Sequence, residues 1–215
     1  MNLKIKSPSI DNHQGQALPF ALILIPLFLI LIQQTLYFSR LIERKIALQN
    51  GVDAALISGI KILSEGLNRI STLNQNLVRC HKLLILAQAG TVVTGNGGLL
   101  LTVEALKKMI RAIALKQEMI KQSVPLIAAQ KTLSMARKNN TPHSVLSPPL
   151  FRYSIERLPP TQGLPSPYVL NPDFDTHRTW SISGFKYKHA YRAHAKAALF
   201  GDSLMLSNWK GYISE

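Results

Sequence analysis

The residues able to carry chemistry are few and scattered. Cys80 stands directly before His81, and a thiol beside an imidazole is the pair that a cysteine nucleophile uses. Adjacency in sequence does not create catalytic geometry, and the six histidines and eleven carboxylates show no clustering of the metal or glycosidase type. We therefore expect a protein that is not an enzyme, with no catalytic residues and no cofactor.

Three further groups of residues bear on ligand binding. Asp173 and Asp175 lie two apart, as two ligands of a metal would, but no third ligand is spaced nearby, which favours a polar turn. His189 and His194 would lie on opposite faces of a strand, which disfavours a shared metal. Residues 90–98 are Gly-rich and predict a turn, because Gly-Asn-Gly-Gly at 95–98 lacks the Gly-Lys-Ser/Thr and the preceding strand of a phosphate loop. We expect no metal site.

The strongest signal in the chain is the apolar stretch 17–38. From Ala17 to Ile32 every residue is apolar or Pro, and the next charge is Arg40. A helix of this length rises about 33 Å, roughly the thickness of a bilayer's hydrocarbon core. A buried core helix would carry a polar stripe, and a cleaved secretory signal would end in a small-x-small site, and neither is present. The stretch therefore predicts a transmembrane helix.

Two prolines and one aromatic residue add detail to this predicted span. Pro19 falls in the first turn, where its missing N–H has no helical partner. Pro26 is central and frees the carbonyl of Leu22, which predicts a kink or a neighbouring helix. Tyr37 suits the headgroup region. The residues assigned to the membrane anchor are Leu18, Pro19, Phe20, Leu22, Pro26, Leu29 and Tyr37.

The chain is strongly basic, with a formal net charge of +14 and a pI near 10.1. That balance suits nucleic acid, an anionic membrane surface or an acidic protein. Residues 39–141 hold 15 of the basic residues against 5 acidic ones, but they lack the interleaved aromatics of a nucleic-acid platform, which makes nucleic acid the least favoured partner. Lys4 and Lys6 favour a cytoplasmic N-terminus, whereas Arg40, Arg44 and Lys45 favour the opposite orientation, with the residues after the span in the cytoplasm.

Residues 39–141 have the periodicity of two amphipathic helices. Apolar residues recur at a three–four spacing, and they include Leu56, Ile60, Leu63, Leu67, Ile70 and Leu77, then Val103, Leu106, Ile110, Ile113, Ile120 and Val124. Helices over 40–88 and 99–139 would form an antiparallel hairpin, with Pro125 kinking or breaking the second. Gly51, Gly59 and Gly66 indicate either close packing of another backbone or flexibility.

Residues 142–215 are Pro-rich and then strand-like. A strand is predicted within 150–157, and residues 180–199 alternate as one long strand or a hairpin. In that alternation Phe185 and Ala193 share one face. Trp209 and Tyr212 are expected to anchor a small core. The predicted fold class is α+β: a leader (1–16), a transmembrane helix (17–38), a helical hairpin (39–141) and a Pro-rich, β-containing region (142–215).

Two stretches together resemble a known family. Residues 48–59, LQNGVDAALISG, are similar to a motif of TadE/TadG-like proteins, the single-pass pseudopilin-like components of tight-adherence (Flp pilus) systems. Residues 15–22, with Pro26 beyond them, are similar to that family's entry into its membrane helix. The resemblance covers about residues 14–62, less than a third of the chain. The motif positions are Leu48, Gln49, Asn50, Asp53, Ala54 and Ala55.

The chain departs from this family in two respects. Processed members are cut after a Gly and carry an acidic residue five positions later. Here Gly15 precedes Gln16 as a candidate processing site, but Phe20 stands in the acidic place. The chain is also too short for the von Willebrand A-like domain common among TadG-type proteins, and it lacks the Asp-x-Ser-x-Ser metal motif of that domain.

The resemblance implies a location and a class of function. It implies a bacterial inner-membrane protein with a cytoplasmic N-terminus and a periplasmic C-terminal region. The implied function is that of a minor pseudopilin or assembly scaffold whose partners are the membrane, other pilus or secretion-system subunits, and copies of itself. The alternative is a membrane-tethered basic module that recruits an anionic partner or an anionic lipid surface.

Overall fold

The structure is a computed structural model that describes residues 17–95, 97–141, 143–147, 155–170, 180–186, 191–200, 204–205 and 209–214. Two long helices precede six short strands. Helix α1 spans Ala17–Thr94 and helix α2 spans Gly97–Lys138. The strands are β1 (His143–Ser147), β2 (Ile155–Arg157), β3 (Tyr168–Leu170), β4 (Trp180–Lys186), β5 (Tyr191–Phe200) and β6 (Lys210–Ser214). The described chain is mostly helical with a few small strands, as the α+β prediction requires. Its contacts divide it into a first unit, Met1–Arg44, and a second unit, Lys45–Glu215.

Helix α1 ends later than the sequence predicts. The Gly-rich turn was expected from Gly90 onward, but the helix continues to Thr94. The hydroxyl of Thr94 donates to the carbonyl of Gly90 at 2.7 Å, so this threonine bonds to its own helix. The helix stops at Gly95, whose φ of 62° is left-handed and whose N–H donates to the carbonyl of Thr91 at 3.0 Å.

Helix α2 ends as the sequence predicts and is continuous where a break was expected. Its end is a Schellman motif: Asn140 is left-handed (φ 56°), and the N–H of Thr141 donates to the carbonyl of Ala136 at 2.9 Å. Pro125 lies inside α2 and is buried, so the alternative of a break was wrong. A proline deprives the preceding turn of one hydrogen bond, and burial of its ring among the core residues offsets that loss.

The two helices pack antiparallel within the second unit. Gly51 lies against Asn139, Gly59 against residues 128 and 132, and Gly66 against Val124, so positions rise along α1 as they fall along α2. All six of the predicted apolar positions on α1 are buried: Leu56, Ile60, Leu63, Leu67, Ile70 and Leu77. On α2 the predicted stripe buries Val103 and Ile110 fully and the rest in part.

The strands form two antiparallel sheets. The larger has the order β1-β4-β5-β6, and the smaller pairs β2 with β3. Residues 180–199 are therefore a hairpin rather than one strand. The register pairs Ala193 with Gly184 and Ile182 with Ala195, and Ile182, Gly184 and Ala193 are buried. Phe185 pairs with Arg192, the residue before Ala193, so this register places Phe185 and Ala193 at positions of opposite faces and the predicted common face was wrong.

One core joins the helices to the strands. Trp209 is 2% exposed, which confirms its predicted role as an anchor, while the side chain of Tyr212 lies outside the described residues. The members of this core from beyond the helices are Ile155, Tyr168, Ile182, Ala193, Leu204 and Trp209, and they cluster with the apolar face of α1 and with Ala128 and Ala136 of α2. These described residues after α2 thus pack onto the helical hairpin.

Candidate functional site

The N-terminal part of α1 presents an unburied apolar surface. None of the residues in its apolar window is buried within the chain. Phe20 is 68% exposed, Leu22 67% and Leu29 61%, which are high values for large apolar side chains. The helix is long and apolar enough to cross a membrane by length and composition. Because the window is fully exposed, this part of α1 does not belong to the core of the chain, unlike the buried face of α1 from Leu48 onward.

The remaining anchor residues fit the same description. Pro19 and Pro26 lie inside exposed helix, and Tyr37 is 58% exposed with its ring edge-on to Phe38. Leu18 is helical, but its side chain lies outside the described set. Thr35 donates its hydroxyl to the carbonyl of Leu31 at 2.8 Å. That bond satisfies the hydroxyl within the helix, which reduces the cost of placing it in an apolar environment.

The family motif divides between the core and the surface. Leu48 and Ala55 are buried, and Val52 between them lies 2.6 Å from where a Cβ would stand on Gly184. The contact seats this turn of α1 directly on the larger sheet.

The polar motif residues lie outside that contact. Gln49 donates to the carboxylate of Asp53 at 2.9 Å, one helical turn away. Asn50 and Ala54 are exposed. Of the six motif residues, Leu48 and Ala55 are therefore buried, Gln49 and Asp53 are partly buried, and Asn50 and Ala54 are exposed on α1.

Gly51, Gly59 and Gly66 of α1 lie against α2 and the residue that follows it. A Cβ on Gly66 would meet Val124 at 2.5 Å, and one on Gly51 would meet the carbonyl of Asn139 at 3.2 Å. The amide of Asn139 also donates to the carbonyl of Gly51 at 3.3 Å. Of the two interpretations from the sequence, close packing applies, and the backbone that approaches belongs to this chain.

A buried amide connects four parts of the fold. Asn74, fully buried, donates to the backbone carbonyls of Tyr168 at 2.8 Å and Leu204 at 3.0 Å. Its oxygen accepts from the N–H of Tyr168 at 2.9 Å and from Gln117 of α2 at 2.8 Å. All four hydrogen-bonding positions of the side chain are used. Asn74 thus holds α1, α2, β3 and the Leu204 turn in one arrangement.

A charged group covers this amide network. Arg157 donates to the carbonyls of Ser166 at 2.9 Å and Ala114 at 3.2 Å, and its guanidinium lies 4.2 Å from the ring centre of Tyr168. The hydroxyl of Tyr168 donates to Glu118, which holds the pKa of that carboxyl below its ordinary value. Burial raises the pKa of Tyr168, and the bond to Glu118 raises it further. Both groups are thereby held in their neutral-pH forms.

Other polar residues of α1 hold the backbone of the C-terminal region. Asn68 donates to the carbonyl of Trp209 at 3.0 Å and accepts from its N–H at 2.9 Å, as a strand neighbour would. Gln75 donates to the carbonyl of Met205 at 2.6 Å, and the ring of His81 bonds the carbonyl of Pro165 at 2.9 Å. Sequence reasoning missed these residues. The signal that could have identified such a residue is a polar side chain at a position where the three–four spacing predicts an apolar one, as at Asn74 between Ile70 and Leu77.

Among the described residues, Cys80 and His81 are engaged separately rather than with each other. Cys80 is buried in a second small cluster with Leu84 and Ile110, and burial raises the pKa of its thiol. Its sequence neighbour His81 bonds a backbone carbonyl. Within the described ranges, no three residues among His, Cys, Asp and Glu come close enough to hold a metal. Asp173, Asp175 and His189 lie outside those ranges, as does the side chain of His194.

The outer face of α2 combines apolar and basic residues. Leu115 is 66% exposed, Met119 63% and Leu126 63%, and their spacing of four and eleven places them on one face of the helix. Lys108, Arg111 and Lys116 are exposed on the same helix. This surface is accessible to a partner.

Comparison of the chain with known protein families, with curated proteins and with solved structures found no match. The candidate processing site, Gly15 and Gln16, lies outside the described residues.

Proposed function

We propose that this chain is a single-pass protein of the bacterial inner membrane, and that it serves as a TadE/TadG-like minor pseudopilin or assembly scaffold of a tight-adherence pilus or related secretion system. The observation that carries the proposal is the apolar window of α1, fully exposed in the folded chain. An apolar surface of that length is stable only when lipid or another protein covers it. The family resemblance of residues 15–22 and 48–59 supplies the class.

The second unit has features expected of a subunit that packs against other proteins. Its buried Asn74 uses its side chain to join α1 to α2, β3 and the backbone of Leu204. Its exposed apolar residues Leu115, Met119 and Leu126 offer a surface on which other subunits or a second copy would dock. In the proposed mechanism α1 anchors the chain in the membrane, and the hairpin with its sheets is the assembly surface outside the cytoplasm.

Membrane integration is tested with charged substitutions in the full chain. Arginine at the centre of a spanning helix costs about 2.5–3.5 kcal/mol per residue on insertion scales. We therefore expect Leu24→Arg together with Phe28→Arg to release the protein from alkaline-washed membranes. The matched control places Arg at Leu115 and Met119, which are similarly exposed apolar positions of α2. Wild-type protein found in the soluble fraction would overturn the proposal.

Orientation and partnership are tested separately. Alkaline phosphatase fused after residue 215 is expected to be active, because that enzyme folds only outside the cytoplasm, and a fluorescent-protein fusion is expected to be dark when exported. Co-purification with pilus-platform proteins is expected from wild type and is expected to fall when Leu115, Met119 and Leu126 are changed to Ser. Activity of the cytosolic reporter alone would contradict the proposed topology.

A second candidate function rests on the exposed basic residues Lys108, Arg111 and Lys116. In this alternative the chain is a membrane-tethered module that recruits an anionic partner independently of any pilus. Binding that weakens steeply with salt, in the absence of pilus components, would favour it over the first candidate.

A further inference from the structure

The end of the helical hairpin carries an apolar surface distinct from the membrane anchor. We name residues 83–103 the hairpin tip; this stretch contains no Asp, Glu, Lys or Arg. In the described part of the tip, Val92 is 86% exposed, Val93 84%, Leu101 72%, Leu86 68% and Leu100 61%. Among the described residues of the second unit, few large apolar side chains are as exposed as these, although Leu84 and Val103 of the tip are buried.

The polar side chains of the tip are largely satisfied within it. Thr91 donates to the carbonyl of Gln88 at 2.7 Å, Thr94 to that of Gly90 at 2.7 Å, and Thr102 to that of Gly98 at 3.2 Å. A hydroxyl that already bonds a helix carbonyl costs less to remove from water than a free one. The three threonine hydroxyls therefore add little to the free-energy cost of moving the tip from water into an apolar environment.

Basic residues flank the tip along the chain on both helices, and we name them the basic collar. Arg79 and Lys82 precede it on α1, and Lys107, Lys108 and Arg111 follow it on α2, with Glu104 the one acidic residue among them. Long basic side chains flanking an apolar surface are typical of segments that enter lipid, since their ammonium and guanidinium groups reach phosphate headgroups while the apolar part lies deeper. Two copies joined tip to tip would instead bring two positive collars together, which disfavours self-association there.

We propose that the hairpin tip inserts into the interfacial region of an anionic phospholipid membrane, with the collar bound to the headgroups. The inference rests on the second unit alone and is independent of membership in a pilus system. It assigns to the chain a second lipid contact, remote in sequence from residues 17–38.

The test uses the full chain in nanodiscs of zwitterionic lipid. A fluorophore sensitive to polarity is placed on Val93→Cys in a Cys80→Ala background, and vesicles of phosphatidylglycerol with brominated chains are added. We expect bromine quenching and a blue shift at position 93, with at least tenfold weaker vesicle binding when Val92, Val93, Leu100 and Leu101 are all Ser. A label on Gln130→Cys, an exposed polar position of α2, is expected to stay in water.

Three results would overturn the proposal. They are the absence of quenching at position 93, equal quenching by zwitterionic brominated vesicles, and a shift that depends on protein concentration without anionic lipid, which would identify a contact between copies. A chain that elutes apart from the discs would instead disprove the membrane anchor. The quenching readout at position 93 remains valid in that case, so the two failures are distinguishable.

Discussion

The hydroxyl oxygen of Thr132 occupies the space in which Gly59 would carry a β-carbon. That hydroxyl also donates to the carbonyl of Ala128 at 2.9 Å, and the same carbonyl lies 3.2 Å from the Cβ position. Thr132 is fully buried, so a hydroxyl displaced by that β-carbon would have to be accommodated inside the core. The distance between α1 and α2 at this level is therefore set by the absence of a side chain on Gly59.

We predict that Gly59→Ala destabilises the second unit. Overpacking of a close contact costs about 1–3 kcal/mol. For a unit of this size that corresponds to a fall of roughly 2–10 °C in Tm. The measurement is thermal unfolding of the full chain in detergent, followed by circular dichroism.

The control for this prediction is Gly97→Ala. Gly97 begins α2, and a Cβ there would meet nothing within 4 Å. Its Tm is expected to be unchanged or slightly raised, because Ala favours helix. The double variant with Thr132→Ala is expected to recover part of the loss. A Gly59→Ala protein as stable as wild type would contradict the close-contact account.

Asn74→Ala is predicted to loosen the strands from the helices. Removal of this amide leaves the N–H of Tyr168 and two carbonyls without partners, and each buried orphan costs about 1–3 kcal/mol. We expect a large fall in Tm together with proteolytic cleavage after α2 at protease levels that spare wild type. Asn50→Ala, at an exposed position of the same helix, is the control and is expected to be neutral. Equal protease resistance of the two variants would rule out the bridging role of Asn74.

Acid stability is predicted to depend on Glu118. Its carboxyl has a pKa below the ordinary value of 4.5, chiefly because Tyr168 donates to it. A lowered folded-state pKa stabilises the protein above the unfolded value, and this contribution is lost as the pH falls through the folded value. Wild type should therefore exceed Glu118→Gln in Tm at pH 7, and the gap should close below about pH 4.5. A gap that stays constant from pH 7 to pH 3 would refute the linkage.

Cys80 is predicted to be unreactive in the folded chain. Its thiol is 5% exposed, and burial raises its pKa, so little thiolate is present at neutral pH and reagents reach it poorly. Labelling with a maleimide at pH 7 should be slow until denaturant is added. A thiol at Val93→Cys, where the native side chain is 84% exposed, should react at once under the same conditions. Fast native labelling at Cys80 would indicate a local opening of the hairpin.

Periodicity was sufficient to predict the helices and their buried face. Leu56, Ile60 and Leu63 are buried as the three–four spacing requires, and the glycine row marks where the second helix approaches. The predicted end of the first helix at residue 88 was wrong, because α1 continues to Thr94. Local propensity disfavours a helix at Gly90, but contacts with α2 favour it, such as Leu99 at 3.3 Å from the Cβ position of Gly90.

Contacts between distant residues were beyond reach of the sequence. Asn68 bonds Trp209, and nothing near either residue identifies the other as its partner. The register of β4 on β5 pairs Phe185 with Arg192 and Gly184 with Ala193, and the predicted alternation, which put Phe185 and Ala193 on one face, could not supply that register. Asn74 on α1 and Gln117 on α2 each stand at a position where the periodicity predicts an apolar residue, so each could be noticed from the sequence. That the two side chains bond to each other could not be predicted.

The bond between Asn68 and Trp209 also bears on biogenesis. During synthesis α1 emerges with its inner face uncovered, and the residue that closes this part of the core follows 141 positions later. Until then the newly made helices hold exposed apolar stripes, which is the condition under which chains aggregate or recruit chaperones. Such long-range closure also slows folding, because the loop entropy is lost before the contact is gained. A nascent chain stalled between α2 and Trp209 would therefore contain both helices of the hairpin, but their inner face would still be uncovered and would need a holdase chaperone.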